Sequence, residues 1–250
     1  MRVLLIGAAG RVGRVLTREL TGKHDLLLAD CTPLPDPRFV PLDVLDVQRA
    51  RQVVPDCDAA IFLSIVDGPS AGGGNSLQYA EAAFDVQVKG VYNVLRAAAD
   101  AGRTRVLYAS SLSAVSAYPE GEFITSGHRH RGGGVYGITK GIGEDLCRQA
   151  HEERGLSVTI LRLGYFYQVA TPLRHVVKPH IMVHELDVAD AFRRVLTQPN
   201  PPYSLLHIVS DSPRRTWDIE TARDLYGWRP RFSFGDDHLP FETETSMPGE

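Results

Sequence analysis

Arg2-Val-Leu-Leu-Ile-Gly-Ala-Ala-Gly-Arg-Val-Gly13 is the stretch that decides the fold of this chain of 250 residues. Its apolar start, residues 3–6, predicts a buried strand, and the apolar residues that follow recur at helical spacing. Gly7 permits a sharp turn, Gly10 lets the backbone approach a pyrophosphate, and Gly13 lets the helix pack closely on the strand. The N–H groups of the helix's first turn would then face phosphates. The residues predicted to contact a dinucleotide here are Gly7, Gly10, Arg11, Val12 and Gly13.

The second strand of this unit indicates which dinucleotide is bound. The G-x-x-G-x-x-G spacing is weak evidence alone, but residues 26–30 have the composition of a buried strand that ends in Asp30, 17 positions after Gly13. A carboxylate there can accept hydrogen bonds from ribose hydroxyls and would repel a 2′-phosphate, which favours NAD over NADP. NADP remains an alternative cofactor, because the side chains of Arg11 and Arg14 could both reach a phosphate. The alternative for Asp30 is a carboxylate that merely caps a strand end.

Composition excludes several classes of function. A hydrophobic fraction of 43% allows a full core, and a net charge of −3 gives no bulk electrostatic case for nucleic acid. No apolar run has the length of a membrane span, and the chain enters a strand without a signal segment. Cys31, Cys57 and Cys147 show neither a metal-ligand nor a disulfide pattern. We therefore expect a cytoplasmic enzyme without a metal site.

Strand and helix patterns alternate along the chain. This alternation predicts a single α/β domain over residues 1–250, a Rossmann-type doubly wound parallel sheet with helices on both faces. Segments 164–183 and 211–240 fit the pattern poorly, and we expect them to form a small substrate-covering lobe at the carboxyl edge of the sheet. The predicted strands are 3–6, 26–30, 39–43, 57–63, 105–110, 158–162 and 205–209, and the predicted helices are 47–53, 77–101, 135–154 and a helix within 184–196.

Further cofactor contacts are predicted where the third and fourth strands end. Asp43 and Val44 would border an adenine ring, or Asp43 would N-cap the helix at 47–53, and both roles can coexist. Leu63 ends the fourth strand at the edge where ligands bind in open parallel sheets. The glycine-rich loop 68–75 beyond it would be either a lid or a spacer without a role.

The candidate catalytic residues are a serine, a tyrosine and a lysine. Tyr136 and Lys140 are four positions apart at the start of a helix, so their side chains share a face. A nearby lysine favours the phenolate, which makes the phenol a better general base. Ser111 ends the fifth strand 25 residues earlier, where a hydroxyl can bind a substrate oxygen, and Ser110 and Ser113 compete for that role. The alternatives are a solvated Tyr–Lys pair and serines that satisfy backbone groups in a turn.

In these sequence features together, the chain resembles the extended short-chain dehydrogenase/reductases, also called the NAD-dependent epimerase/dehydratase family. The resemblance runs from Met1 to about Val209 and includes Gly90-Val-Tyr-Asn-Val-Leu-Arg-Ala-Ala98 and Asp187-Val-Ala-Asp-Ala191. It implies a Rossmann-type sheet, bound NAD(H) and a Ser–Tyr–Lys site for hydride transfer. It also implies a homodimer formed through the helices at 77–101 and 135–154.

Within that family the chain looks most like the uronate dehydrogenases, in stretches 28–34, 109–118, 161–164 and 209–230. It departs from them in the substrate-facing parts: Leu112-Ser113 stands where they have Asn-His, Tyr165 where they have a small polar residue, and Gln87 where the family has Asn. The loop at 68–75 also differs. Arg174 lies where a substrate carboxylate would be held, and a surface arginine is the equal alternative. The candidates for substrate binding are Ser110, Ser113, Tyr165 and Arg174.

The leading hypothesis is an NAD-dependent oxidoreductase that transfers hydride between NAD and a hydroxyl or carbonyl of a small polyhydroxylated or carboxylated substrate. One alternative is an epimerase, dehydratase or natural-product tailoring enzyme that uses NAD(P) transiently. Another is a non-catalytic NAD(H) sensor, which would need none of Ser111, Tyr136 and Lys140. His128 and His130 invite a metal site, but two histidines without a third ligand indicate a solvated loop.

Overall fold

The computed structural model describes residues 1–66, 76–102, 104–169, 178–199, 201–212, 214–235 and 240–242, without the side chain of Phe241. Strands and helices alternate along most of this length, as predicted. The strands are β1 Arg2–Ile6, β2 Asp25–Asp30, β3 Phe39–Pro41, β4 Ala59–Phe62, β5 Arg105–Ser111, β6 Val158–Leu163, β7 Tyr165–Tyr167, β8 Met182–His184, β9 Tyr203–Ile208, β10 Phe232–Phe234 and β11 Pro240–Glu242. The α-helices are α1 Arg11–Leu20, α2 Val47–Val53, α3 Leu77–Phe84, α4 Gly90–Ala101, α5 Gly134–Arg154, α6 Glu185–Thr197 and α7 Glu220–Tyr226.

Across the described residues, seven strands form one parallel sheet in the order β3-β2-β1-β4-β5-β6-β9. The order reverses between β1 and β4, and that switch point is where open α/β sheets bind ligands at the carboxyl ends of their strands. The glycine stretch that follows β1 lies at this point. The predicted Rossmann-type doubly wound sheet is therefore confirmed.

Helices cover both faces of the sheet because its strands are apolar on both sides. In β1, Val3 and Leu5 pack into the core formed with α1, α6 and α7. Leu4 and Ile6 point the other way, into the core formed with α2, α4 and α5. Side chains alternate between faces along a strand, so a continuous apolar run is what a doubly covered strand requires.

Several predicted elements have other bounds in the structure, such as the strand expected at 39–43, which is Phe39–Pro41. The helix expected at 77–101 is divided by a π-helical turn, Asp85–Lys89, which places buried Gln87 against α5, where its Nε2 donates to Thr139 Oγ1 over 2.9 Å. The strand expected at 57–63 is only Ala59–Phe62. It starts late because the Cys57 N–H still closes the preceding 3₁₀ turn on the Val54 carbonyl.

Two small sheets lie beyond the carboxyl edge of the main sheet. β7 pairs with β8 in parallel, β10 pairs with β11 antiparallel, and β10 packs against β8. Asp187, at the start of α6, holds this region together because its carboxylate accepts the backbone N–H groups of Arg231 and Phe232. These contacts join parts of 164–183 and 211–240, whereas the division of the chain into a sheet domain and a substrate lobe stays a prediction.

Candidate active site

The glycine turn after β1 has the close packing that the sequence pattern requires. Gly7 has a φ of +92°, and a Cβ there would lie 2.8 Å from the Ser64 nitrogen. A Cβ on Gly13 would lie 2.3 Å from the Gly7 carbonyl oxygen, so only glycine lets α1 approach β1 this closely. Gly10 is the N-cap of α1 and provides no side chain to satisfy the helix's first N–H groups. The turn therefore presents unshielded donors, which suits a pyrophosphate.

Asp30 stands beside this turn at the end of β2. One carboxylate oxygen accepts the Ala9 N–H over 2.9 Å, and the other accepts the Thr32 N–H over 2.9 Å. The oxygen bonded to Thr32 also accepts from the Cys31 thiol over 3.6 Å, whereas the oxygen bonded to Ala9 can accept a second hydrogen bond, so the group remains able to bind a ribose hydroxyl. Arg14 donates to the Ala9 carbonyl on the same turn. This arrangement fits the adenosine end of NAD.

The structure corrects one role considered for Asp43. The N-cap of α2 is Asp46, whose side chain accepts the Arg49 N–H over 2.9 Å, whereas the side chain of Asp43 accepts the N–H of Leu45. Asp43 is three positions too early to reach the first turn of a helix that starts at Val47. Val44 is buried, and its carbonyl accepts a hydrogen bond from the Asn93 side chain. Contact of Asp43 and Val44 with an adenine ring stays a prediction.

A cavity of about 980 Å³ opens over the carboxyl ends of β1, β4, β5 and β6. It brings the glycine turn, Leu63 and the catalytic candidates into one space, together with most of the residues predicted for substrate. Asp30, Asp43 and Val44 lie outside its wall. The sequence candidates that line it are Gly7, Gly10, Arg11, Val12, Gly13, Leu63, Ser110, Ser111, Ser113, Tyr136, Lys140 and Tyr165.

Arg11 lines this cavity at the start of α1. Its guanidinium donates to the Gln168 side chain and to the Phe166 carbonyl, each over 3.0 Å. These bonds tie the start of α1 to β7 and to the residue that follows it. A contact of Arg11 with the cofactor stays a prediction.

Two of the three candidate serines face the cavity together. Ser111 Oγ accepts the Ser113 N–H over 3.1 Å and lies 3.2 Å from Ser113 Oγ. Ser110 differs, because its buried hydroxyl donates to Glu144 over 2.5 Å. Neighbouring residues of a strand point to opposite faces, so Ser110 turns away when Ser111 faces the crevice. This hydrogen bond favours Ser111 and Ser113 over Ser110 for a substrate oxygen, and a role of Ser110 in substrate binding stays a prediction.

Tyr136 and Lys140 lie next to these serines on the first turns of α5. Lys140 Nζ donates to the Ala109 carbonyl over 2.7 Å and lies 5.8 Å from the centre of the Tyr136 ring. Burial raises the pKa of Tyr136 to about 12, against the opposing hydrogen bond with Ser111. Burial also lowers the pKa of Lys140 to about 7, against the opposing charge of Glu144. Burial thus acts against the phenolate, and the expectation that Lys140 favours it stays a prediction.

Sequence reasoning missed a buried charged pair beneath this site. Arg162 of β6 makes two hydrogen bonds to the Glu144 carboxylate, over 2.9 and 2.7 Å, and both side chains are buried. Arg162 Nη1 also lies 3.3 Å from His207 Nε2, and burial lowers the pKa of His207 to about 3. The available signal was the spacing of Glu144, four residues after Lys140 on the same helical face.

Of the remaining candidates, some lie at the cavity and others lie elsewhere or outside the described residues. Tyr165 is half-buried in β7 and lines the cavity, whereas Arg174 and the loop 68–75 lie outside the described residues. The ring of His128 accepts the Thr125 N–H, and that of His130 pairs with Asp145 over 2.7 Å.

Within the described ranges, no three histidine, cysteine or acidic side chains are grouped as a metal site would need. In the same ranges, no helix has the length and apolarity to cross a membrane.

Comparison with known proteins agrees with this geometry. The model of the NAD dependent epimerase/dehydratase family matches residues 3–177. The chain is 27% identical to an NAD-dependent glucose-6-phosphate dehydrogenase of Haloferax volcanii, over 92% of each protein. It is 28% identical to a uronate dehydrogenase of Pseudomonas putida, over 93% of this chain and 84% of that protein. The crystal structure of uronate dehydrogenase from Agrobacterium tumefaciens superposes with a TM-score of 0.79 at 26% identity, covering 92% of this chain and 84% of that one.

Proposed function

The chain belongs to the NAD-dependent epimerase/dehydratase family and is an NAD-dependent oxidoreductase, and from that premise we propose its substrate class and its catalytic residues. The proposed substrate is a small polyhydroxylated or carboxylated molecule, one carbon of which exchanges hydride with NAD. The observation that carries this proposal is the convergence of Ser111, Tyr136 and Lys140 in one cavity with the glycine turn. That cavity also has room for a molecule of sugar size beside the catalytic groups.

Each protein group has a separate proposed task around the cofactor. The glycine turn and the first N–H groups of α1 hold the pyrophosphate, and Asp30 holds the adenosine ribose. Lys140, whose Nζ is anchored to the Ala109 carbonyl, lies where it can also bind the second ribose. NAD, when bound, supplies the hydride acceptor and, in its oxidised form, a positive charge near the phenol.

Tyr136 is the proposed general base. Its oxygen takes the hydroxyl proton of the substrate while Ser111 hydrogen-bonds the same substrate oxygen and keeps it near the phenol. Because burial alone raises the pKa of Tyr136 to about 12, nearby positive charge is needed to bring the phenol into a useful range. Lys140 supplies such a charge only when it is protonated.

The substrate proposal is tested by the absorbance of NADH at 340 nm. The panel contains uronic acids, neutral aldoses, phosphorylated aldoses and hydroxy acids, each with NAD and with NADP. Net NADH formation with a polyhydroxylated or carboxylated compound is the expected result. Substrate conversion without net NADH would indicate transient use of the cofactor instead, and no conversion with any compound would count against the proposed substrate class.

We also propose that the chain forms a homodimer through α3, α4 and α5. Supporting this, Phe84, Tyr92 and Ile138 on these helices are apolar and exposed. Light scattering on the purified protein should give twice the monomer mass, and Tyr92→Asp should reduce it. Leu225→Asp, at an exposed apolar residue of α7, is the control and should leave the mass unchanged.

Two further proposals concern organisation and location. Residues 164–183 and 211–240 are proposed to act as the substrate lobe, supported by the contact of β10 with β8. Exchanging these segments for those of a relative with another substrate should change substrate preference and leave NAD affinity unchanged. A cytoplasmic location is supported by three free cysteines, of which Cys31 is exposed. Cell fractionation tests it.

A further inference from the structure

A group of buried charges lies directly beneath the proposed catalytic residues. Lys140 and Glu144, both on α5, are 2% and 5% exposed, and Arg162 of β6 is 1% exposed. Glu144 accepts two hydrogen bonds from Arg162 and one from the Ser110 hydroxyl. Neither Glu144 nor Arg162 lines the cavity, so neither is placed to touch a substrate. Charges this deeply buried strongly affect the protonation of their neighbours.

Lys140 has neutral groups on most of its sides. Tyr108 of β5 presents its ring 5.2 Å from Nζ, and Tyr136 and Cys147 come from α5 itself. Burial holds the pKa values of Tyr108 and Cys147 well above their ordinary range, so both are uncharged near pH 7. The charged neighbours that remain are Glu144 and, behind it, Arg162.

A nearby negative charge raises the pKa of a buried ammonium group. Burial lowers the pKa of Lys140, and the Glu144 carboxylate, four residues along the same face of α5, opposes this effect. Two hydrogen bonds from Arg162 and one from Ser110 hold that carboxylate in place. The balance leaves the pKa of Lys140 at about 7, where a small change alters the fraction that is protonated.

We propose that Glu144 is a positioning residue whose buried carboxylate, held by Arg162 and Ser110, favours the charged form of Lys140. It thereby influences the pH range in which Lys140 can assist Tyr136. The consequence for turnover rests on the proposed function.

The pKa of Lys140 can be measured directly, because the chain has only four lysines, Lys23, Lys89, Lys140 and Lys178. Protein labelled with ¹³C at the lysine ε-carbon should give four resolvable NMR signals. The signal that is absent in Lys140→Arg is that of Lys140. Titration without cofactor then reports the pKa of Lys140 in the intact chain. This readout needs neither substrate nor activity.

Removing the charge of Glu144 should lower this pKa. Glu144→Gln should lower the pKa of Lys140 by about 1 or more. Asp145→Asn is the matched control, because Asp145 is the next acidic residue on α5 but is solvent-exposed and paired with Arg148. It should leave the pKa of Lys140 unchanged. Glu144→Asp keeps the charge and should leave the pKa of Lys140 near its wild-type value. If Glu144→Gln does not fold, a decrease of about 1 or more in Glu144→Asp would overturn the inference.

Activity gives the second readout. In Glu144→Gln, turnover should fall most in the interval between its lowered Lys140 pKa and about pH 7, and should approach wild type above that interval. A deficit equal at all pH values would indicate a packing defect and overturn the proposed role. An unchanged Lys140 pKa in Glu144→Gln would overturn the inference itself. A shifted pKa in a protein that forms no NADH with any compound would leave the inference standing and remove the proposed function.

Discussion

Replacing Tyr136 with phenylalanine removes one oxygen atom and tests the proposed chemistry most directly. The ring keeps its position beside Lys140, whose Nζ remains on the Ala109 carbonyl, so the cofactor site should be preserved. The substrate proton loses its acceptor, and general acid–base catalysis typically contributes about 10²–10⁴-fold. We therefore expect turnover to fall by at least this range, which corresponds to about 3–5 kcal/mol of activation free energy.

The assay is NADH formation at 340 nm under saturating substrate, with NAD affinity measured by calorimetry on the same preparation. The lost hydrogen bond between Tyr136 and Ser111 should change the free energy of unfolding by at most about 1.5 kcal/mol. Lys140→Ala provides the contrast, because it should weaken NAD binding as well as turnover. Near-normal turnover of Tyr136→Phe with normal NAD affinity would show that another group accepts the proton, and the Ser–Tyr–Lys assignment would then be refuted.

Three other predictions follow from residues around the site. Asp30→Asn keeps a hydrogen-bond acceptor but removes the charge that repels a 2′-phosphate, so the preference for NAD over NADP should shrink by roughly 1–3 kcal/mol in Kd ratios, and a wild-type preference for NADP would contradict it. Gly13→Ala should lower the free energy of unfolding because its Cβ would lie 2.3 Å from the Gly7 carbonyl oxygen. The Cβ of Gly10→Ala would lie 3.3 Å from the same oxygen, so that variant should fold but bind NAD weakly. Equal urea midpoints for the two variants would refute the distinction. His207 has its pKa lowered to about 3, below its unfolded value, so the unfolded chain binds the extra proton and stability should fall as pH drops below about 6.5. His207 should account for a loss of about 2 kcal/mol in the free energy of unfolding between pH 7 and pH 5. His207→Gln should remove this loss, which urea titrations at the two pH values measure.

Several features of the site could be predicted from the sequence because they depend on short stretches of chain. The glycine turn, Asp30 and the Tyr136–Lys140 spacing each lie within one strand–turn–helix unit or one helix. Parallel strands end at a common edge of the sheet, so residues at strand ends were expected to meet there. The cavity wall contains the glycine turn, Leu63, Ser111, Tyr136 and Lys140 in agreement with that expectation.

Other features depended on which elements pack together. The same alternation that turns Ser111 toward the crevice turns Ser110 toward α5, where Glu144 accepts its proton. Nothing in the local pattern shows that a glutamate of α5 will meet Arg162, 18 residues away on β6. The dry environment that raises the pKa of Tyr136 arises from the same packing.

The sequence by itself determined the fold class, the family resemblance and the identity of the catalytic candidates, because periodic burial and turn-forming glycines are local properties of the chain. Only the tertiary structure decided the protonation of these groups and the partners of buried polar side chains such as Ser110. Protonation depends on burial and on charges brought close from distant segments, and a linear sequence specifies neither distance. The proposed role of Glu144 beside Lys140 therefore could not be predicted from the motif that contains the lysine.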